Sequence, residues 1–149
     1  MMPDARDRSV DVEAVLDILA QITPASTLAY LEWPSGLPGE SAEGAFRFGL
    51  QCGALDACLR ARGFATRHVA PNKWTGVLRL VGKYDPDALK IRQQVWAENY
   101  PAFADLTLGP RGGILDGILD SALIAHYGVL ANSGMGLRTG NQRPIRRTL

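Results

Sequence analysis

Apolar residues recur at helical spacing in the first part of the chain. Between residues 12 and 22 they fall at Val12, Val15, Leu16, Leu19 and Ile22. This spacing predicts an amphipathic helix, and Pro24 follows as a stop signal. A second, longer helix is predicted over Ser41 to Arg62, with Ser41 as a candidate N-cap. Along it, Gly49, Gly53 and Ala57 repeat every four residues, which favours close approach by the sheet or by a partner subunit.

Two short apolar runs predict β-strands. Thr27 to Trp33 is nearly continuous in apolar residues, which is typical of a buried strand, and Glu32 lies near its carboxyl end. Ala65 to Ala70 forms the second run and leads into Pro71. A long helix separates the two strands, so the connection must be a crossover. We therefore expect a sheet that is at least partly parallel.

The second half of the chain predicts two further helices. One begins at Asp85 or Asp87 and continues through Trp96; the other begins near Ile114 and ends around Gly128. The last helix has an expected core stripe of Leu115, Leu119, Ala122, Leu123 and Tyr127. The order helix, strand, helix, strand, helix, helix predicts an α/β fold with helices flanking the sheet.

Composition and charge add an expected domain plan. The chain has 149 residues, 46% of them hydrophobic, which predicts one globular domain over residues 1–130. No acidic residue follows Asp120, and residues 131–149 are a predicted basic tail that meets phosphate or serves as a solvated arm. The two cysteines match no metal-ligand or disulfide spacing, and no run is long enough to span a membrane. We expect a cytoplasmic protein.

The clearest candidate chemistry is a pair of carboxylates on an otherwise apolar helix. Asp116 and Asp120 lie four residues apart where the last predicted helix begins, and Glu32 ends a strand far earlier in the chain. Carboxylates on an apolar face need compensation, and a hard divalent cation with oxygen ligands supplies it. The alternatives remain open: Glu32 ends a strand in solvent, and Asp116 is a helix N-terminal carboxylate stabilised by the dipole.

Five segments together resemble the RuvC-type Holliday junction resolvases, and their phage-borne branch most closely. They are Tyr-Leu-Glu-Trp-Pro at 30–34, Phe-Gly-Leu-Gln-Cys-Gly at 48–53, Val-Ala-Pro-Asn-Lys-Trp at 69–74, Arg92 in a helix stopped at Tyr100-Pro101, and Asp-Gly-Ile-Leu-Asp-Ser-Ala-Leu-Ile-Ala at 116–125. The resemblance covers residues 10 to 130 and rests on the order and spacing of these segments.

The resemblance implies an RNase H-like, layered fold in which carboxylates hold two magnesium ions for phosphodiester hydrolysis. Glu32, Asp116 and Asp120 match its catalytic, metal-binding positions, with Mg²⁺ or Mn²⁺ as the cofactor. Lys73 and Trp74 match a turn beside the site. The expected contacts with branched or junction DNA come from Lys73, Trp74, Arg92, Arg143, Arg146 and Arg147.

One part of the family pattern has no counterpart in this chain. The family's first catalytic aspartate stands on the opening strand of a three-stranded meander, and this sequence begins roughly where that meander should end. We therefore expect an N-terminally truncated sheet and weak metal binding. The strand from Leu28 to Trp33 would keep an exposed edge, which predicts a homo-oligomer such as a dimer, or a partner that covers the edge.

Three functions follow as competing hypotheses. The first is a magnesium-dependent, structure-specific DNA endonuclease of the recombination type. The second is a weakened or inactive derivative that still binds DNA. The third is an oligomeric assembly or interaction protein that reuses the fold without nucleic acid.

Overall fold

The computed structural model describes residues 9–33, 39–80, 82 and 85–133. The chain divides into two compact units, Met1–Pro71 and Asn72–Leu149. The single domain over residues 1–130 stays a prediction, and so does the tail beyond the last helix. Among the described residues, no helix is both long and apolar enough to cross a membrane.

The first unit contains two helices and a two-stranded parallel sheet. Helix α1 (Val12–Leu19) is followed by a 3-10 turn and strand β1 (Leu28–Glu32). Helix α2 (Ala42–Ala61) then leads to strand β2 (Ala65–Val69). Leu28 pairs with Ala65 and Glu32 with Val69, so the strands run in the same direction. The predicted parallel crossover is confirmed.

Local side-chain chemistry fixes where these helices begin. The Asp11 carboxylate accepts a hydrogen bond from the backbone N–H of Ala14 at 3.0 Å, and the Ser41 hydroxyl accepts one from Gly44 at 3.0 Å. Each satisfies an N–H group that the first helical turn leaves without an internal partner. The predicted Ser41 N-cap is therefore confirmed.

The small residues of α2 do not lie against the sheet. A Cβ atom built on Gly49 or Gly53 would meet nothing within 4 Å in the described part of the chain. The helix contacts both strands, but its buried residues are Cys52 and Cys58. The sheet therefore does not pack on these glycines, because the helix turns another face inward, and close approach by a partner subunit stays a prediction.

The second unit is helical. It contains α3 (Pro71–Val77), which starts at the unit boundary, α4 (Ala88–Asn99), a 3-10 helix (Pro101–Thr107) and α5 (Asp116–Asn132). The segment predicted as a turn around Lys73 is a short helix instead. Proline suits a first helical position, where its missing N–H would have no partner, and this explains a start at Pro71.

Side-chain hydrogen bonds anchor α4 to the 3-10 helix. The Gln93 amide donates to the carbonyl of Ala104 at 3.0 Å, and its oxygen accepts from the Thr107 hydroxyl at 2.6 Å. The Trp96 indole N–H donates to the carbonyl of Phe103 at 3.0 Å. These bonds tie α4, the helix that carries Arg92, to the 3-10 helix.

Burial along α5 confirms most of the predicted core stripe. Leu119 and Leu123 are completely buried and Tyr127 nearly so, whereas Ala122 is half-buried. Leu115 is 39% exposed, so its place in the stripe was wrong. Its backbone is extended, because it caps the helix instead of lying within it, and helical periodicity does not apply to its side chain.

Candidate functional site

The aspartate pair lies in the first turns of α5. Asp116 is the first helical residue and its side chain is 70% exposed, whereas that of Asp120, one turn on, is 32% exposed. A carboxylate in the first turn is stabilised by the positive end of the helix dipole. The dipole therefore accounts for Asp116, and Asp120 needs a different compensation.

Arg92 of α4 supplies that compensation. Its Nη1 atom donates to both carboxylate oxygens of Asp120, at 2.8 and 3.1 Å, and lies 4.0 Å from an oxygen of Asp116. The Arg92 side chain is only 12% exposed. A charge-assisted contact of this length in partly buried surroundings is stronger than an ion pair in solvent. The guanidinium thus supplies a positive charge that compensates Asp120.

Trp74 lies near the same guanidinium. The Cζ atom of Arg92 is 5.7 Å from the centre of the Trp74 ring, within the range of a cation–π interaction. Trp74 itself is 2% exposed. Core packing therefore accounts for this tryptophan, and its contact with DNA stays a prediction.

The structure therefore gathers Trp74, Arg92 and both aspartates in the second unit. Lys73, next to Trp74 on α3, is exposed and has no ion-pair partner among the described residues. Its ammonium is available to an anion from solution. Arg143, Arg146 and Arg147 lie outside the described residues, as does the rest of the predicted tail beyond residue 133.

Glu32 stands at the carboxyl end of β1, as predicted, in the first unit. Its backbone carbonyl accepts a hydrogen bond from the thiol of Cys52 at 3.5 Å. Burial raises the pKa of Cys52, and the negative charge of Glu32 raises it further. Cys52 is therefore held as a neutral, unreactive thiol.

The described residues contain no preformed cluster of metal ligands. Among the described residues, no three side chains of His, Cys, Asp or Glu are grouped so that they could share a metal ion. Asp120 is already engaged by a guanidinium. Magnesium binding by Glu32, Asp116 and Asp120 stays a prediction.

Sequence reasoning missed a polar cluster in the first unit. The Asp56 carboxylate accepts from Arg60 Nε at 2.7 Å and lies 2.9 Å from His68 Nε2. The hydrogen bond from Arg60 and then that with His68 lower the pKa of Asp56. The His68 ring stacks on Trp33 at 3.9 Å. The four-residue spacing of Asp56 and Arg60 on a predicted helix could have indicated their ion pair. The contact with His68 of β2 could not have been predicted from sequence spacing.

His126 of α5 is a buried histidine with structural partners. It is 8% exposed, and its Nδ1 atom lies 2.9 Å from the Tyr100 hydroxyl. The two rings meet edge to face. Burial lowers the pKa of His126, because the charged form loses its hydration.

Acidification is expected to destabilise the protein through His126. Its folded-state pKa lies below the unfolded value of about 6.5, so the unfolded chain takes up the proton first. The free energy of unfolding should fall as pH drops from about 6.5 towards the lower folded-state pKa. Urea denaturation at pH 8, 7, 6 and 5 measures this slope. The non-titrating His126→Gln variant should show a shallower slope, and equal slopes would contradict the assignment.

Comparisons with known proteins do not assign the chain to a group. No model of a known protein family matches it, and a search of the curated proteins returned no match.

Proposed function

We propose that this chain is a RuvC-like protein of RNase H-like fold, derived from a Holliday junction resolvase, that binds branched DNA and has lost efficient cleavage. The five sequence segments that resemble the phage-borne branch support the fold and the ancestry. A parallel α/β crossover with Glu32 at the end of β1 agrees with that layout. The proposed location is the cytoplasm.

The observation that carries the loss of efficient cleavage is the ion pair between Arg92 and Asp120. A hydrolytic site of this family needs its carboxylates free to ligate cations, since the ions activate water and stabilise the leaving oxygen. Here one carboxylate is held at 2.8 Å by an almost buried guanidinium. The ion pair therefore supports DNA binding over turnover.

Cationic side chains support the DNA contact. Phosphate contacts position a nucleic acid without reading its sequence, and lysine and arginine supply most of them. Lys73 is exposed on α3, beside the residue that contacts Arg92. The arginines Arg143, Arg146 and Arg147 are proposed to add a second, tail-borne set of phosphate contacts.

Binding to labelled four-way junctions and to linear duplex of the same length tests the proposal. We expect tighter binding to the junction, and an affinity that falls steeply with salt. Lys73→Gln should weaken binding several-fold and reduce the salt slope by about one. The matched control is Lys90→Gln, since Lys90 is also exposed but pairs with Asp87. Absence of binding at low salt would count against DNA binding, and equal effects of the two substitutions would count against a phosphate contact through Lys73.

The same junction, incubated with Mg²⁺ or Mn²⁺, separates a binding protein from an enzyme. We expect little nicking by the unaltered protein. Efficient nicking that disappears in Asp120→Asn would instead establish the metal-dependent endonuclease, with Glu32, Asp116 and Asp120 as its ligands. Binding with little or no nicking supports the derivative.

A second candidate function is an oligomeric assembly or interaction protein. The observation that favours it is the outer surface of α2, where Phe46 is 70% and Leu50 62% exposed, beside the open glycines Gly49 and Gly53. A self-associating dimer would cover the apolar surface of α2. A partner could instead cover the separate edge of the strand from Leu28 to Trp33. Stable oligomers in light scattering, combined with no junction binding, would favour this function.

A further inference from the structure

Arg92 places one positive charge between two carboxylates of α5. A single nitrogen, Nη1, contacts both oxygens of Asp120 and comes within 4.0 Å of Asp116. The side chain reaches there from α4, which packs directly on α5. This is the charge arrangement that the aspartate pair would otherwise obtain from a bound cation.

The pairing is incomplete from the side of the arginine. Guanidinium and carboxylate pair best through two parallel N–H···O bonds from two nitrogens, whereas one nitrogen makes both contacts here. The Nε atom of Arg92 is buried and has no hydrogen-bond partner among the described residues. A buried donor without an acceptor is destabilising. The contact therefore holds Asp120 without satisfying Arg92 fully.

We propose that Arg92 is a built-in counter-cation of the aspartate pair, and that a divalent cation binds Asp120 only by displacing its guanidinium. This goes beyond DNA binding, because it concerns what the two carboxylates bind in the absence of nucleic acid. Arg92 is thus a regulating residue that sets the cation affinity of the pair, and its role does not depend on contact with phosphate.

The geometry makes the two cations compete at Asp120, because Nη1 occupies the side of the carboxylate from which a cation would contact both oxygens. Divalent cations ligate carboxylate oxygens at roughly 2.0–2.6 Å, and Nη1 lies 2.8 and 3.1 Å from those same oxygens. A cation there would meet the guanidinium at close range, where like charges repel strongly. A cation can therefore bind only to the fraction of molecules in which the ion pair is open. The apparent cation affinity is reduced in proportion to that fraction.

Titration with Mn²⁺, with free ion measured by electron paramagnetic resonance, tests the proposal without DNA. Arg92→Gln should bind Mn²⁺ at least about tenfold more tightly than the unaltered protein, because the competing charge is gone. Lys90→Gln removes one charge from the same helix at an exposed site and should change little. Adding Asp120→Asn to Arg92→Gln should abolish the gain and so locate it at Asp120.

Two results would overturn the proposal. One is an Arg92→Gln variant, folded by circular dichroism, that binds no more tightly than Lys90→Gln. The other is tight Mn²⁺ binding by the unaltered protein that Asp120→Asn removes. The second comparison does not need Arg92→Gln to fold: with Arg92 in place, the proposal requires Mn²⁺ binding at Asp120 to be weak, so that Asp120→Asn changes the measured affinity little.

Discussion

Replacing Leu123 by alanine is expected to lower the free energy of unfolding by about 2–5 kcal/mol. The side chain is completely buried in α5, and the substitution removes apolar contacts and leaves a cavity that neighbours fill only in part. Urea denaturation followed by circular dichroism measures the loss. An effect of this size is a large share of the stability of a small domain.

Leu115 provides the matched control. It belongs to the same predicted stripe but lies before the helix and is 39% exposed. Leu115→Ala should therefore cost about 1 kcal/mol or less. Similar losses of unfolding free energy for the two substitutions would mean that α5 turns a different face to the core.

Removing the Asp120 carboxylate is the second substitution with a large expected effect. Asp120→Ala leaves the almost buried guanidinium of Arg92 without its main acceptor, and we expect a loss of about 1–3 kcal/mol in unfolding free energy. The estimate stays below the cost of breaking a fully buried pair, because the Asp120 side chain is 32% exposed and water replaces part of the interaction.

Asp116→Ala is the control for Asp120→Ala. It removes one negative charge from the same helix but leaves the ion pair between Arg92 and Asp120 in place. Asp116 is 70% exposed and lies 4.0 Å from Arg92, so its removal should cost under about 0.5 kcal/mol. Thermal or urea denaturation of both variants gives the comparison. Equal losses would show that the contact of Arg92 with Asp120 contributes no more to stability than an exposed charge.

Local sequence signals predicted the elements whose causes are local. The cap at Ser41 and the parallel pairing of the two strands follow from residue types and from the length of the connection, and the structure has both. Helical periodicity correctly predicted the burial of Leu119 and Leu123. It failed for Leu115, because the helix begins one residue later and helical periodicity does not extend to the residue before it.

The contacts of the candidate site could be predicted only in part. The sequence indicated Asp116 and Asp120 as a candidate site, because carboxylates on an apolar helix need a compensating charge. It could not identify the group that supplies this charge. Arg92 is far from them along the chain, and the packing of α4 against α5 decides that its guanidinium reaches Asp120. The bond between Asp56 and His68 depends in the same way on tertiary packing.

The parallel register of β1 and β2 also constrains the order of folding. Leu28 cannot meet Ala65 until the chain between them has contracted, and most of that chain is α2. An extended segment of 20 residues would span roughly 68 Å, whereas as a helix it spans about 30 Å. Once α2 has formed, most of the connection holds one conformation, so fewer arrangements of the chain remain to be searched before the strands meet. The transition state for folding of the first unit should contain α2 in structured form before the strand hydrogen bonds are complete.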